Sequence, residues 1–137
     1  MKAVKIDATN RTITEVQVND FKDIQRHIGC DTFSQGMPLQ EGDMLWVDDC
    51  GWMTAKKAFT FMGNVFAGNG LITGSDEDGE EKDCLCNVAA ARFLAKFMGE
   101  EKEITDDMRE RALVMARYYE FTGYFNELAT RVLLARE

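Results

Sequence analysis

Residues 63–83 constrain this chain more than any other stretch. They read Gly-Asn-Val-Phe-Ala-Gly-Asn-Gly-Leu-Ile-Thr-Gly and then Ser-Asp-Glu-Asp-Gly-Glu-Glu-Lys-Asp, which places five of the eleven glycines and the densest acidic run side by side. Before it, hydrophobic residues alternate or come in short β-branched and aromatic runs. After it, they recur at helical spacing. A chain that changes period once, at a glycine-rich strand, is expected to be α+β. The expectation is a small, mainly antiparallel sheet with one N-terminal helix, followed by a C-terminal helical region. Residues 1–83 form the α+β part, and 84–137 form a helical extension packed on it as one folding unit.

The first half supports that assignment. Residues 3–7 and the β-branched run from Ile13 to Val18 read as a hairpin around the polar turn Ala8-Thr9-Asn10-Arg11. Asn19 or Asp20 caps a helix from Phe21 to Ile28, whose Phe21, Ile24 and Ile28 share a face, and Gly29 stands at the left-handed C-cap position. Residues 31–35 with Gly36 and Pro38 read as a turn, and Met44-Leu45-Trp46-Val47 as a central strand. Trp52 and Met53 begin a return strand, and 56–62 is either a helical turn or an irregular connection. Leu71-Ile72-Thr73 is a strand between close-set glycines. Leu85, Val88, Ala89, Phe93 and Phe97 predict one helix ending at Gly99, and Thr105 caps a further helical region with a break near Thr122-Gly123.

At 137 residues, with 45% hydrophobic and 29% charged content, the chain is expected to form one domain with one core. No apolar run reaches the roughly 18 residues of a membrane span, and Lys2, Lys5 and Asp7 interrupt any signal-peptide core. A cytoplasmic protein with reduced Cys30, Cys50, Cys84 and Cys86 is expected. The formal charge of −8 sits in two stretches: residues 75–83 carry −5 and residues 100–107 carry −4, leaving +1 elsewhere. That balance argues against binding a nucleic-acid backbone and leaves open a protein partner with a basic face.

Each candidate site has a plainer rival. Gly63, Gly68, Gly70 and Gly74 miss the phosphate-loop spacing, no Gly-Lys-Ser/Thr follows, and the next element is a strand with no helix dipole to offer an anion. The acids from Asp76 to Glu81 are hard oxygen ligands, but with Asp76 at the first position of a calcium loop the glycine falls at position four and Asn87 at position twelve. A solvated turn accounts for them. Cys84 and Cys86 with His27 and Cys30 are the zinc-type ligands, yet two cysteines two residues apart on a helix point about 200° apart. His27 is the sole histidine, so nucleophile–base pairs have one base to draw on. Asp48-Asp49 is the carboxylate pair beside apolar strand residues, and turn chemistry explains it more cheaply. Trp46, Trp52, Phe59, Phe61 and Phe66 read as core, with any that reach the surface near the glycines forming a binding face. No metal, cofactor or catalytic residue is assigned.

The order of four weak motifs and one specific motif carries a resemblance. Val4-Lys5-Ile6-Asp7 with Ile13-Thr14-Glu15-Val16, the Asp23-Ile24-Gln25 to Ile28-Gly29-Cys30 helix end, and Leu45-Trp46-Val47-Asp48-Asp49 with Gly51 come first. Phe66-Ala67-Gly68-Asn69-Gly70-Leu71-Ile72-Thr73-Gly74 with its acidic tail follows and is the most specific. Together, over residues 1–83, they resemble a small domain-of-unknown-function family of bacteriophage and mobile-element proteins. The resemblance implies a phage accessory protein made in a bacterial host cell, and it transfers no catalytic residue.

The leading expectation is therefore a non-enzymatic accessory protein that binds a host component, in host takeover or counter-defence. The alternative is a small-molecule or nucleotide-signal binder using residues 63–74. A metal-dependent enzyme using Asp48, Asp49 or the acids after Gly74 is the third reading. Phe66, Gly68, Asn69, Gly70, Thr73, Asp76, Asp78, Trp46 and Asp48 are the candidate binding residues. Residues 105–137 carry apolar side chains on more than one face, which predicts a homodimer through them.

Overall fold

The computed structural model describes residues 1–51, 55–98, 106, 107 and 110. Strands β1 (Lys2–Asp7) and β2 (Thr12–Gln17) form the expected hairpin, paired from Lys2↔Gln17 to Asp7↔Thr12. Helix α1 (Phe21–Ile28) starts and stops on its local chemistry. The Asp20 carboxylate accepts from the Asp23 N–H at 2.9 Å, Asp23 accepts in return from the Asn19 N–H at 2.8 Å, and Gly29 at φ 79° closes the C-terminus.

Strands β3 (Phe33–Pro38), β4 (Met44–Asp48) and β7 (Gly70–Ser75) complete a sheet of order β2-β1-β7-β4-β3, antiparallel at every ladder. The short β8 (Glu81–Lys82) pairs with the end of β7. A second sheet, of order β6-β5-β9, holds β5 (Ala58–Phe61), β6 (Asn64–Ala67) and β9 (Ala95–Phe97), with α2 (Val88–Leu94) leading into β9.

Both faces of the large sheet are covered, which is why β1 and β7 are buried on alternate and intervening residues alike. On one face Val4, Ile6, Leu45, Val47 and Ile72 join Phe59, Phe61 and Phe66 of the small sheet. On the other, Ile24 and Ile28 of α1 cover Ala3, Val18 and Leu71. Each fully buried phenylalanine contributes roughly 1.5–3 kcal/mol of transfer free energy. Gly70 permits the closest approach between the layers: a Cβ there would lie 2.7 Å from Phe59 Cζ and 2.9 Å from Leu45 Cδ1.

Three expectations are corrected. Residues 56–62 are neither helical turn nor irregular, because β5 finds ladders on both sides, Phe59↔Phe66 and Phe59↔Phe97. The stretch from Phe33 to Pro38 is an edge strand rather than a turn. A register shift between Gln35 and Met37 interrupts its alternation, and Pro38 sits at its end where no ladder N–H is required. The helix after Asp83 is only Val88–Leu94. Asn87 caps it through the Ala90 N–H at 2.8 Å, and pairing with β5 draws residues 95–97 into a strand. As a result Leu85 and Phe93, expected on a buried face, are 58% and 86% exposed, and Cys84 and Cys86 precede the helix. The described part thus has two helices and a mainly antiparallel sheet, an α+β arrangement. The return strand at Trp52 and Met53 and, apart from residues 106, 107 and 110, the helices and dimer contact placed in 105–137 lie outside the described residues. No helix among the described residues is long and apolar enough to cross a membrane.

Candidate functional site

The loop after α1 and the loop after β4 meet at one end of the large sheet. The Gly29 and Cys30 N–H groups both bond the Gln25 carbonyl, at 2.8 and 3.1 Å, while Gln25 Nε2 donates to the Asp31 carbonyl at 2.6 Å. The Asp49 N–H then bonds the Thr32 carbonyl at 3.1 Å, and Asp48 Oδ1 accepts from the Cys50 N–H at 2.9 Å. Between these loops lies an open cleft of about 610 Å³, lined chiefly by Arg26, Cys30, Asp31, Asp48 and Cys50.

Charges around the cleft set its chemistry. Burial, then the carboxylates of Asp48 and Asp31, push the Cys30 thiol up to about 11, so it stays protonated at neutral pH and is a poor nucleophile. The Asn19 N–H and the Arg26 guanidinium, 2.9 Å away, hold Asp23 below the usual carboxylate range. Burial lowers His27, whose Nε2 lies 3.4 Å from the Gln17 carbonyl.

An aromatic row starts beside the cleft. Phe33 follows Thr32 and pairs with Asp48 across the β3–β4 ladder. Its ring lies 4.7 Å from Phe21 and 5.4 Å, edge-on, from Trp46. Trp46 is fixed in turn by Nε1 donating to Thr73 Oγ1 at 2.8 Å. Phe21 is 62% exposed, so the row runs from the core to the surface.

The residues singled out from the sequence are distributed along the whole of β7. Phe66 is core, stacked at 5.6 Å on Phe59. Gly68 donates to the Lys57 carbonyl, and Asn69 Oδ1 accepts from the Ala8 N–H at 2.9 Å, tying the turn before β7 to the hairpin. Gly68 also abuts Asp48, 3.9 Å from Cβ to Cβ when a side chain is built on the glycine. Asp48, Gly68, Asn69 and Gly70 therefore gather at one end of the sheet, and Trp46 and Thr73 share its helix-covered face. Asp76 and Asp78 lie past the other end of β7, roughly 17 Å away by strand rise. There Asp76 Oδ1 accepts from the Asp78 and Glu80 N–H groups, both at 2.9 Å, in a self-capped turn. Among the described residues, no three His, Cys, Asp or Glu side chains converge as metal ligands.

Cys30, Asp31 and Cys50 of the cleft, and Phe21 and Phe33 of the row, were not among those candidates. Phe21 carried a signal: at the first position of an eight-residue amphipathic helix it lies at the margin of the buried stripe.

A family model described as a domain of unknown function, DUF3846, matches residues 1–98, a span that takes in β1 through β9. No curated protein and no solved structure matches the chain.

Proposed function

We propose, for a chain that belongs to the DUF3846 family of domains of unknown function, a non-enzymatic role in which the aromatic row engages a protein partner. In the phage setting that partner is a host protein. The observation that carries the reading is the ordered row itself: Phe21, Phe33 and Trp46 in successive ring contact, held by α1, β3 and β4, with Phe21 62% exposed. Rigid aromatic anchors are among the residue types that dominate binding energy at protein interfaces. Asp20, Asp31 and Asp49 are exposed around it, which suits a basic partner and speeds its approach. Protonated Cys30 and the hydrogen-bonded Asp48 and Asp76 supply structure rather than reactive groups.

A small-molecule reading has one observation in its favour, the cleft of about 610 Å³ that Asp48 lines, within the range of ligand pockets, about 300–1,000 Å³. The two readings separate in one experiment. Tagged wild type, Phe21→Asp and Phe93→Asp are used to capture proteins from host lysate. Asp at the first position of α1 suits the helix dipole, so Phe21→Asp is expected to fold. The expected result is a protein retained by wild type and Phe93→Asp and lost by Phe21→Asp. Equal capture by all three, or none by wild type, would overturn the protein-binding reading.

A further inference from the structure

Among the described residues the large sheet ends on β2 at one side and on β3 at the other, and the two edges are built differently. β3 carries two features that block further pairing, the register shift between Gln35 and Met37 and the proline at its end, Pro38. β2 has neither. Its six residues, Thr-Ile-Thr-Glu-Val-Gln, pair with β1 in unbroken register and include no proline, glycine or lysine. A regular edge strand with a single charge is a template for another strand.

The hydrogen bonds show which groups that strand would meet. Met1 and Val18 exchange two, Met1 N–H to the Val18 carbonyl at 2.8 Å and Val18 N–H to the Met1 carbonyl at 2.9 Å. Bonded and non-bonded pairs alternate along an antiparallel ladder. Thr12, Thr14 and Val16 therefore also aim their N–H and C=O groups at β1, and Ile13, Glu15 and Gln17 aim theirs away from it. The Gln17 carbonyl agrees, since His27 Nε2 lies 3.4 Å from it, outside the ladder. Among the described residues, none pairs with the outward groups of Ile13 and Glu15. An open cleft of about 420 Å³ lies along Thr12, Ile13 and Thr14, so α2 and β9 leave space at this edge.

We propose that β2 pairs antiparallel with β2 of a second copy of this chain, about a two-fold axis at Thr14, joining the two large sheets edge to edge. The strand's own sequence selects this occupant. With Thr14 opposite Thr14 of the copy, Ile13 of each strand faces Glu15 of the other, and their outward N–H and C=O groups satisfy one another in full. On the same face as Thr14, Thr12 and Val16 stand opposite Val16 and Thr12 of the copy, giving a row of β-branched cross-strand pairs. The one charged residue of β2, Glu15, meets no like charge. A two-fold axis at Glu15 would instead set two carboxylates directly opposite, which disfavours that register. An interface made of the same strand from both copies is closed, and the blunted β3 edges stop the joined sheet from growing further. The contact uses neither the aromatic row nor residues 105–137, so it does not depend on the protein-binding role proposed for the row.

The test uses the full chain, with mass read by light scattering over a dilution series. Wild type is expected to be a dimer at high concentration and to dissociate on dilution. Glu15→Pro removes an outward N–H from an exposed residue and leaves the bonds to β1 in place. It should keep the wild-type circular dichroism and raise the dissociation constant more than tenfold. Thr14→Cys supplies a second readout that needs no disruptive change. Residues opposite each other in a non-bonded pair lie about 4.5 Å apart at Cα, within disulfide range. Diamide should therefore link two copies through position 14, mapped by peptide mass spectrometry, and should not link Thr12→Cys, which faces Val16. A monomeric wild type at high concentration would overturn the proposal. So would a folded Glu15→Pro that dimerises like wild type, which would move the contact elsewhere, residues 105–137 included. Equal linking of Thr14→Cys and Thr12→Cys, or none in either, would overturn the register.

Discussion

The cysteines divide by what surrounds them. Cys30 and Cys84 are both pushed up to about 11, in each case by burial first and then by a nearby aspartate, Asp48 for Cys30 and Asp43 for Cys84. A thiol at that value is about one part in a thousand thiolate at pH 8. Iodoacetamide at pH 8 is therefore expected to label exposed Cys50 first, with Cys30 and Cys84 labelled only slowly, read by peptide mass spectrometry. The same shift makes a stability claim. A thiol whose folded value lies above its unfolded value stabilises the fold fully below the unfolded value, near 9. That contribution is lost as pH rises from there through about 11. Denaturation midpoints should fall over that window, and Cys30→Ser should flatten part of the fall. Rapid labelling of Cys30 at pH 8 would contradict its burial beside the acids.

At the level of elements, the parts legible in the sequence are those whose causes are local. The β1–β2 hairpin follows from β-branched runs around a polar turn, and α1 from Asp20, an apolar stripe and Gly29. Strands β3, β5 and β9 depend on partners far along the chain. Thr60 finds Lys96, and Phe33 finds Asp48, so composition near either residue carries little of the signal. The first cleft was hidden for the same reason, since residues 25–32 and 48–50 are far apart in the chain and are joined by the Thr32–Asp49 hydrogen bond. Asp43 is another long-range tie of this kind. It is 4% exposed at the start of β4, and its two carboxylate oxygens accept from the Leu85 and Cys86 N–H groups at 2.9 and 2.8 Å. Removing it strands two donors in a half-buried loop, at about 1–3 kcal/mol each. Asp43→Ala should destabilise by about 2–5 kcal/mol in urea and speed amide exchange at Leu85 and Cys86. Asp43→Asn retains one acceptor oxygen and should cost about half as much. Unchanged exchange at those two amides in Asp43→Ala would show that the carboxylate does not hold the connection into α2.

On the scale of the whole molecule, the question is where the cooperative unit ends. Ala91 and Ala95, 0% and 7% exposed, belong to the same buried cluster as Val4, Ile6 and Phe59, and Val88, Leu94 and Phe97 pack against it. β9 also covers the side of β5 away from β6, where the ladder runs Phe59↔Phe97 to Phe61↔Ala95. A chain cut after Asp83 loses this ladder, Asp43's two backbone partners and the apolar cover over Phe61. Deleting one buried phenylalanine from a core costs about 3–5 kcal/mol, so losing the whole corner should cost at least that much out of a total stability near 5–15 kcal/mol. A fragment of residues 1–98 retains every one of these contacts. Urea unfolding should accordingly show a sharp cooperative transition for 1–98, and for 1–83 either a much lower midpoint or none. Equal midpoints for the two fragments would mean that α2 and β9 lean on a core already complete without them, and that the acidic turn before Asp83 closes the folding unit.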